Sequence, residues 1–191
     1  RALNRICPLG FKHNLQSVRT VDRLEKKGQG LNLTVEVRDG ILNHKTSGSP
    51  HTLEGKIVRL SDKIAYIHHD MDDAVRAGIL RESDVPKEIR DVIGSTPSDR
   101  FDHFIHDIVN ASMGKDDILM SEETHWAMAQ MRAFMFEHVY ENPKAKGEEI
   151  KAERLMETLY LHFLHHIDSL PEEFRNLLEQ GDPLEQVVCD Y

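Results

Sequence analysis

The fold is decided by one long segment, residues 52–78, which reads TLEGKIVRLSDKIAYIHHDMDDAVRAG. Apolar residues recur along it at the three- and four-residue spacing of an amphipathic helix. The residues of the predicted buried stripe are Ile57, Leu60, Ile64, Ile67 and Met71. Thr52 is a favourable N-cap residue, and Gly78 lies where glycine commonly ends a helix. The segment therefore predicts a helix from about Thr52 to Ala77.

Helical periodicity continues on both sides of this segment, and no stretch shows the sustained alternation of a half-buried strand. A first helix is predicted from about Asn14 to Lys27, and Thr34 can cap a second helix that runs through Asn43. Later helical segments are predicted at about 86–93, 98–113 and 121–140, and from Pro143, Pro171 and Pro183. The predicted fold class is all-α, and because no linker divides the chain, residues 1–191 are interpreted as a single helical domain.

Composition and charge narrow the classes of function. The chain has 191 residues, of which 39% are apolar and 30% charged, so it is expected to fold as a globular domain. Its formal net charge of −9 provides no overall positive field for nucleic acid, whose binding is left open without being indicated. No apolar run is long enough for a membrane span, and Cys7 and Cys189 show neither CxxC spacing nor a disulfide framework. A cytoplasmic protein is the resulting interpretation.

One face of the predicted long helix carries polar groups suited to chemistry. Asp62, Tyr66 and Asp70 are spaced at i, i+4 and i+8 and therefore share that face. A buried carboxylate needs a partner, which a metal ion or a substrate hydroxyl can supply. The alternative from spacing alone is an ordinary solvated face, with Arg59 and Lys63 pairing locally.

The residues around this face resemble a known family. EGKIVRLSDKIAYIHHD at residues 54–70 resembles the signature helix of dGTP triphosphohydrolase-like proteins of the HD superfamily. GFKHNLQSVR at residues 10–19 is similar to the family's F-x-H-N-x-Q-S-x-R segment, and LNLT with VRDGIL, within residues 31–42, match the stretch between. The resemblance is continuous from Arg1 to about Ala74. The remainder matches mainly as an all-α pattern and through VCDY at residues 188–191.

The resemblance implies a multi-helix HD-domain-like bundle that is incomplete in this chain. Residues 1–80 would form the C-terminal part of the metal and nucleotide site, and residues 81–191 a helical extension. Because the chain begins without Met and ends directly after an apolar stretch, truncation at both ends is expected. The catalytic residues are therefore unknown, since the family's catalytic His and Glu would precede Arg1.

A divalent metal ion is implied by the same resemblance. The HD ligand set is an upstream His, a consecutive His-Asp pair and a distant Asp, and the distant Asp corresponds to Asp62. Mn²⁺, Mg²⁺ or Fe²⁺ suits mixed imidazole and carboxylate ligands, and the identity of the metal is left open. His69 and Asp70 are a consecutive His-Asp pair, but they follow Asp62 on the same helix instead of lying upstream. This match is therefore interpreted as coincidence.

The resemblance also assigns substrate-binding residues. Lys63 would contact triphosphate oxygens, while Tyr66 and Asp70 would contact the deoxyribose and its 3′-hydroxyl. The residues that would line the pocket from the first helix are Asn14, Gln16, Arg19 and His13. For His13, a packing or capping role is the alternative.

The implied reaction is hydrolysis of deoxynucleoside triphosphates, dGTP among them, to the deoxynucleoside and tripolyphosphate by a homo-oligomeric enzyme. This chain alone is expected to be inactive. One alternative is a catalytically inactive nucleotide-binding or regulatory module, and another is an HD phosphohydrolase that acts on a different nucleotide.

Two further groups of residues are interpreted as structural. His162, His165 and His166 have spacing that suits two imidazoles on one metal ion, but no carboxylate that would orient them is evident. Cys7 and Cys189 have no base nearby in the sequence, so neither is assigned nucleophilic chemistry.

Overall fold

The computed structural model describes residues 2–191, apart from the side chain of Lys144. The described residues contain helices and connecting segments without a strand, which confirms the all-α prediction. The helices are α1 (Ala2–Ile6), α2 (His13–Arg19), α3 (Glu25–Gly28), α4 (Val35–Asn43), α5 (Leu53–Arg76), α6 (Lys87–Ile93), α7 (Pro97–Ser112), α8 (Glu122–Met135), α9 (Pro143–His165), α10 (Glu172–Glu179) and α11 (Leu184–Asp190). Among the described residues, no helix has the length and apolar character that crossing a membrane requires.

Contacts between residues divide the chain into two compact units. Unit 1 consists of Arg1–Gly48 and Gly147–Tyr191, and unit 2 is the intervening segment Ser49–Lys146. That the chain forms a single domain, subdivided at residue 80, stays a prediction.

The long helix α5 follows the sequence prediction closely. The Thr52 hydroxyl accepts a hydrogen bond of 3.0 Å from the backbone N–H of Gly55, which satisfies one donor of the first turn. Gly78 follows the helix in a left-handed conformation with φ of 66°. The predicted burial of Ile57 is wrong, because this side chain is 48% exposed. The core of unit 2 takes its α5 residues from Ile64 onward, and the first turns of α5 lie beyond that core.

The first predicted helix is correctly placed but is not continuous. α2 ends at Arg19, a π-helical turn follows over Thr20–Leu24, and the next two residues after Glu25 are left-handed. The chain then folds back, and the Leu31 N–H donates to the Val21 carbonyl at 2.7 Å. A Cβ atom on Gly30 would lie 2.1 Å from the Asp22 carbonyl oxygen, so only glycine allows this close return.

Each unit has its own apolar core. The core of unit 2 joins α5, α6, α7 and α8, with Met71, Ile93 and Ala127 completely buried. The core of unit 1 contains Cys7, Tyr160, Leu170, Leu177, Val187 and Val188. The two cores account for the two compact units, because burial of apolar surface is the dominant stabilising contribution to folding.

Unit 2 also buries a guanidinium. Arg100 is 1% exposed, and its Nη1 and Nη2 donate to the Glu82 carboxylate at 2.9 and 3.1 Å. Its Nε has no hydrogen-bond partner among the described residues, and Nη2 lies 3.7 Å from the Met71 sulfur. The neighbouring imidazole of His68 donates through Nδ1 to the Ile64 carbonyl and stacks on Phe101 with ring centroids 4.0 Å apart. Burial lowers the pKa of His68, which favours its neutral form.

Candidate functional site

In unit 2, the predicted site residues lie on α5, where the helical period aligns them. Asp62 and Tyr66 are exposed, and Lys63 and Asp70 are partly buried. Their common face is therefore accessible in this chain. Tyr140, in the turn that follows α8, contacts it, and the charge of Arg132 on α8 acts on Lys63.

Asp70 is held by a tyrosine that the sequence analysis did not identify. The Tyr140 hydroxyl donates a hydrogen bond to Oδ2 of Asp70, and its ring lies beside that of Tyr66, with centroids 6.5 Å apart. Burial is the largest cause that raises the pKa of Tyr140, and hydrogen bonds with Asp70 and Tyr66 raise it further. The phenol therefore keeps its proton, and that proton orients the Asp70 carboxylate.

Lys63 belongs to a group of basic side chains. Burial is the first cause that lowers the pKa of Lys63, and the positive charges of Arg59 and Arg132 lower it further. Arg132 comes from α8, so two helices bring cations to the same place. Like charges at short range repel each other, and a bound anion would relieve that repulsion. Arg132 could not be predicted from the sequence, because nothing in its own helix indicates that it lies near α5.

In unit 1, Asn14 and His13 occupy the start of α2. The buried Asn14 donates from Nδ2 to the Leu42 carbonyl at 2.9 Å, which ties α2 to α4. His13 is exposed, and its ring meets that of His44 edge to face, with centroids 5.1 Å apart. Both side chains thus contact α4 or the residue after it.

Gln16 and Arg19 meet a buried carboxylate near the end of the chain. Arg19 donates from Nε to both oxygens of Asp190 at 2.8 and 2.9 Å, and from Nη2 to Asp190 and Asp182. Gln16 donates from Nε2 to Oδ1 of Asp190 at 2.8 Å. The hydrogen bond with Asp190 is the largest cause that raises the pKa of Arg19, so its guanidinium stays charged. These bonds join residues more than 160 positions apart, and helical spacing gave no signal for them.

The eight predicted residues therefore form two groups, one in each unit. Asp62, Lys63, Tyr66 and Asp70 share a face of α5, and the four others lie on α2. Within the described side chains, no three His, Cys, Asp or Glu residues are close enough together to hold a metal ion. Asp62 is exposed, and a single carboxylate does not by itself make a metal site.

The residues interpreted as structural belong to unit 1. His162 and His166 are exposed and stack with ring centroids 4.3 Å apart. Cys189 packs beside the buried Cys7, and both are free thiols. Burial, with further effects of Cys7 and Asp190, raises the pKa of Cys189 to about 12, which disfavours a reactive thiolate.

Comparison with known proteins shows which proteins this chain resembles. Residues 118–191 match the model of the phosphohydrolase-associated domain. Relatives named deoxyguanosinetriphosphate triphosphohydrolase-like protein are 48% identical in Caldanaerobacter subterraneus, 42% in Clostridium tetani and 41% in Clostridium perfringens. Each alignment covers 99% of this chain and 56%, 57% and 58% of the respective relative. The chain thus spans a little more than half the length of these relatives, and almost its whole length is similar in sequence to these deoxyguanosinetriphosphate triphosphohydrolase-like proteins.

Proposed function

We propose that this chain forms part of a metal-dependent hydrolase that converts deoxynucleoside triphosphates, dGTP among them, to the deoxynucleoside and tripolyphosphate. The names of its relatives support this reaction class. The observation that carries the proposal is the grouping, on one side of α5, of basic side chains with a carboxylate oriented by Tyr140.

The basic side chains suit the triphosphate. The charge of Arg132 is close enough to Lys63 to lower the pKa of that lysine. Triphosphate oxygens accept charge-assisted hydrogen bonds from both kinds of cation, and an arginine can bind two oxygens at once. We therefore assign Lys63 and Arg132 to the triphosphate.

The carboxylate and the two aromatic rings suit the sugar. Asp70 can accept a hydrogen bond from the 3′-hydroxyl, while the Tyr140 phenol holds the carboxylate in place. The exposed ring of Tyr66 lies beside them and would crowd a 2′-hydroxyl. This arrangement gives a physical reason for a preference for deoxyribose over ribose.

Asp62 is proposed as one oxygen ligand of a divalent cation, Mn²⁺, Mg²⁺ or Fe²⁺, whose other ligands come from outside this chain. When bound, such an ion polarises a phosphoryl oxygen and lowers the pKa of a bound water. Assembly into a homo-oligomer and a cytoplasmic location also stay predictions.

The proposal is tested with the gene product that contains this chain, assayed with Mn²⁺ for tripolyphosphate release from each dNTP and from their mixture. Asp62→Ala is expected to lower both the bound metal and the turnover. Loss of a group that merely orients a metal ligand typically costs about 10- to 100-fold, so loss of a ligand should cost more. His166→Ala, at an exposed position on the other unit, is the control and should leave turnover unchanged.

A second candidate is a nucleotide-binding module without catalytic activity. It would use the same basic side chains and the Asp70 carboxylate to bind a nucleotide without hydrolysing it. Equilibrium binding of a dNTP without release of tripolyphosphate, under all the conditions above, would support this candidate and refute the hydrolase.

A further inference from the structure

We propose that Asp190 is a positioning residue, which holds Gln16 and Arg19 in the orientation that nucleotide binding requires. The inference rests on the proposed function and on the assignment of Gln16 and Arg19 to the nucleotide site that the family resemblance implies, and it adds a residue that the substrate itself need not touch. It assigns a specific task to α11, the last helix of the chain.

The geometry around Asp190 is unusually complete. Its side chain is 0% exposed, and it accepts hydrogen bonds from three different side chains. Arg19 approaches with Nε and Nη2 as a fork, Gln16 donates at 2.8 Å, and Gln186 donates from the previous turn of α11 at 2.9 Å. A buried carboxylate is stable only when its oxygens are satisfied in this way. The network therefore allows very few orientations of its donors.

Both ends of the Gln16 amide are fixed. Its Nε2 donates to Asp190, while its Oε1 accepts from Gln186 at 3.3 Å. The amide cannot rotate by half a turn without placing its oxygen against the Asp190 carboxylate, which would be repulsive. Asp190 thus determines on which side of the Gln16 amide the donor nitrogen lies and on which side the acceptor oxygen lies.

The same network orients Arg19 without using all its donors. The bonds to Asp190 and Asp182 involve Nε and Nη2, whereas a guanidinium has two more N–H groups on Nη1. The fork geometry fixes the plane of the guanidinium, and this plane fixes the direction of Nη1. A side chain that is already ordered loses less conformational entropy when an anion binds.

Asp190 and the side chains that it holds lie in different parts of the sequence. Residue 190 lies in the segment that matches the phosphohydrolase-associated domain, whereas Gln16 and Arg19 lie before that segment. The segment that matches the associated domain would thus hold in place nucleotide-binding side chains that lie outside it. This role requires only the contacts described within unit 1.

The test is Asp190→Asn, which preserves size but places an amide against the donors of Arg19 or Gln16. Because two side chains must then be reordered on binding, the KM for dGTP is expected to rise about tenfold, with kcat changed less than about twofold. Gln186→Ala is the milder second variant. It leaves Asp190 and Arg19 paired, should fold normally, and should raise KM by a factor of about two to five.

The control is Glu153→Gln, which weakens the Arg5 ion pair elsewhere in unit 1 and should leave KM unchanged. A purely structural role for Asp190 would lower the folded fraction and hence the apparent kcat without a change in KM. An unchanged KM in both variants of an active enzyme overturns the inference alone. A wild type that neither binds nor hydrolyses any dNTP overturns the proposed function, and the inference with it.

Discussion

Removing Glu82 should destabilise unit 2 more than removing the buried Arg100 that it neutralises. Glu82→Ala leaves a guanidinium that is 1% exposed without its carboxylate. Loss of one partner of a buried ion pair costs about 3–5 kcal/mol, and because 34% of the Glu82 side chain is exposed, we expect about 2–3 kcal/mol. Arg100→Met removes the buried charge together with its unpaired Nε and leaves an apolar side chain beside Met71. Its effect should stay within about 1 kcal/mol, since apolar replacement of buried ion pairs is often neutral.

The assay is urea unfolding followed by the fluorescence of Trp126, the one tryptophan of the chain, which lies on α8 in unit 2. With a slope of about 2 kcal/mol per molar urea, Glu82→Ala should lower the midpoint by about 1–1.5 M. Lys87→Ala, which removes an exposed pair with Asp91 in the same unit, is the control and should change stability by less than about 0.5 kcal/mol. A larger loss in Arg100→Met than in Glu82→Ala would refute the reasoning, because the ion pair would then stabilise the fold beyond its desolvation cost.

Two further predictions concern unit 2. Burial lowers the pKa of His68 in the folded state below its ordinary value of 6.5. Below pH 6.5 the unfolded chain therefore binds the extra proton more strongly, and the free energy of unfolding falls as the pH decreases. Measured from pH 7 to pH 5, this loss should be smaller in His68→Phe than in the wild type. Gly94→Ala should cost at least about 2 kcal/mol, because residue 94 has φ of 91° and a new Cβ would lie 2.4 Å from that of Asp99. Gly78 also has a positive φ, but there is open space around it, so Gly78→Ala should cost about 1 kcal/mol in the same urea assay. Equal losses of stability in Gly94→Ala and Gly78→Ala would contradict the steric argument.

Much of the local structure could be predicted from the sequence, because helix signals act over a few residues. Thr34 and Thr52 cap α4 and α5 as expected, since a hydroxyl at this position reaches a backbone N–H three residues ahead. The helix starts at Pro143, Pro171 and Pro183 were confirmed within one residue. The alignment of Asp62, Tyr66 and Asp70 on one face also follows from the helical period alone.

The contacts between helices could not be predicted in this way. Periodicity shows which residues share a face, but not which element covers that face, so Ile57 was expected in the core and is half exposed. The bonds from Tyr140 to Asp70 and from Arg19 to Asp190 join residues 70 and 171 positions apart. Family resemblance predicted Asp70 and Arg19 as site residues, and it did not reveal the side chains that hold them.

The π-helical turn over Phe136–Tyr140 determines the direction in which the Tyr140 side chain points. The Glu141 N–H donates to the Phe136 carbonyl five residues earlier, so this turn contains one residue more than an α-helical turn. If the same residues were wound as an α-helix, with no residue deleted, those at the end of the turn would be rotated by up to about 100° around the helix axis. Tyr140 would then point away from Asp70 although no amino acid was changed. In a sequence alignment, a gap misplaced by one position within this turn would pair Tyr140 with the wrong residue of a related chain. Related chains should therefore be compared at this turn by structure.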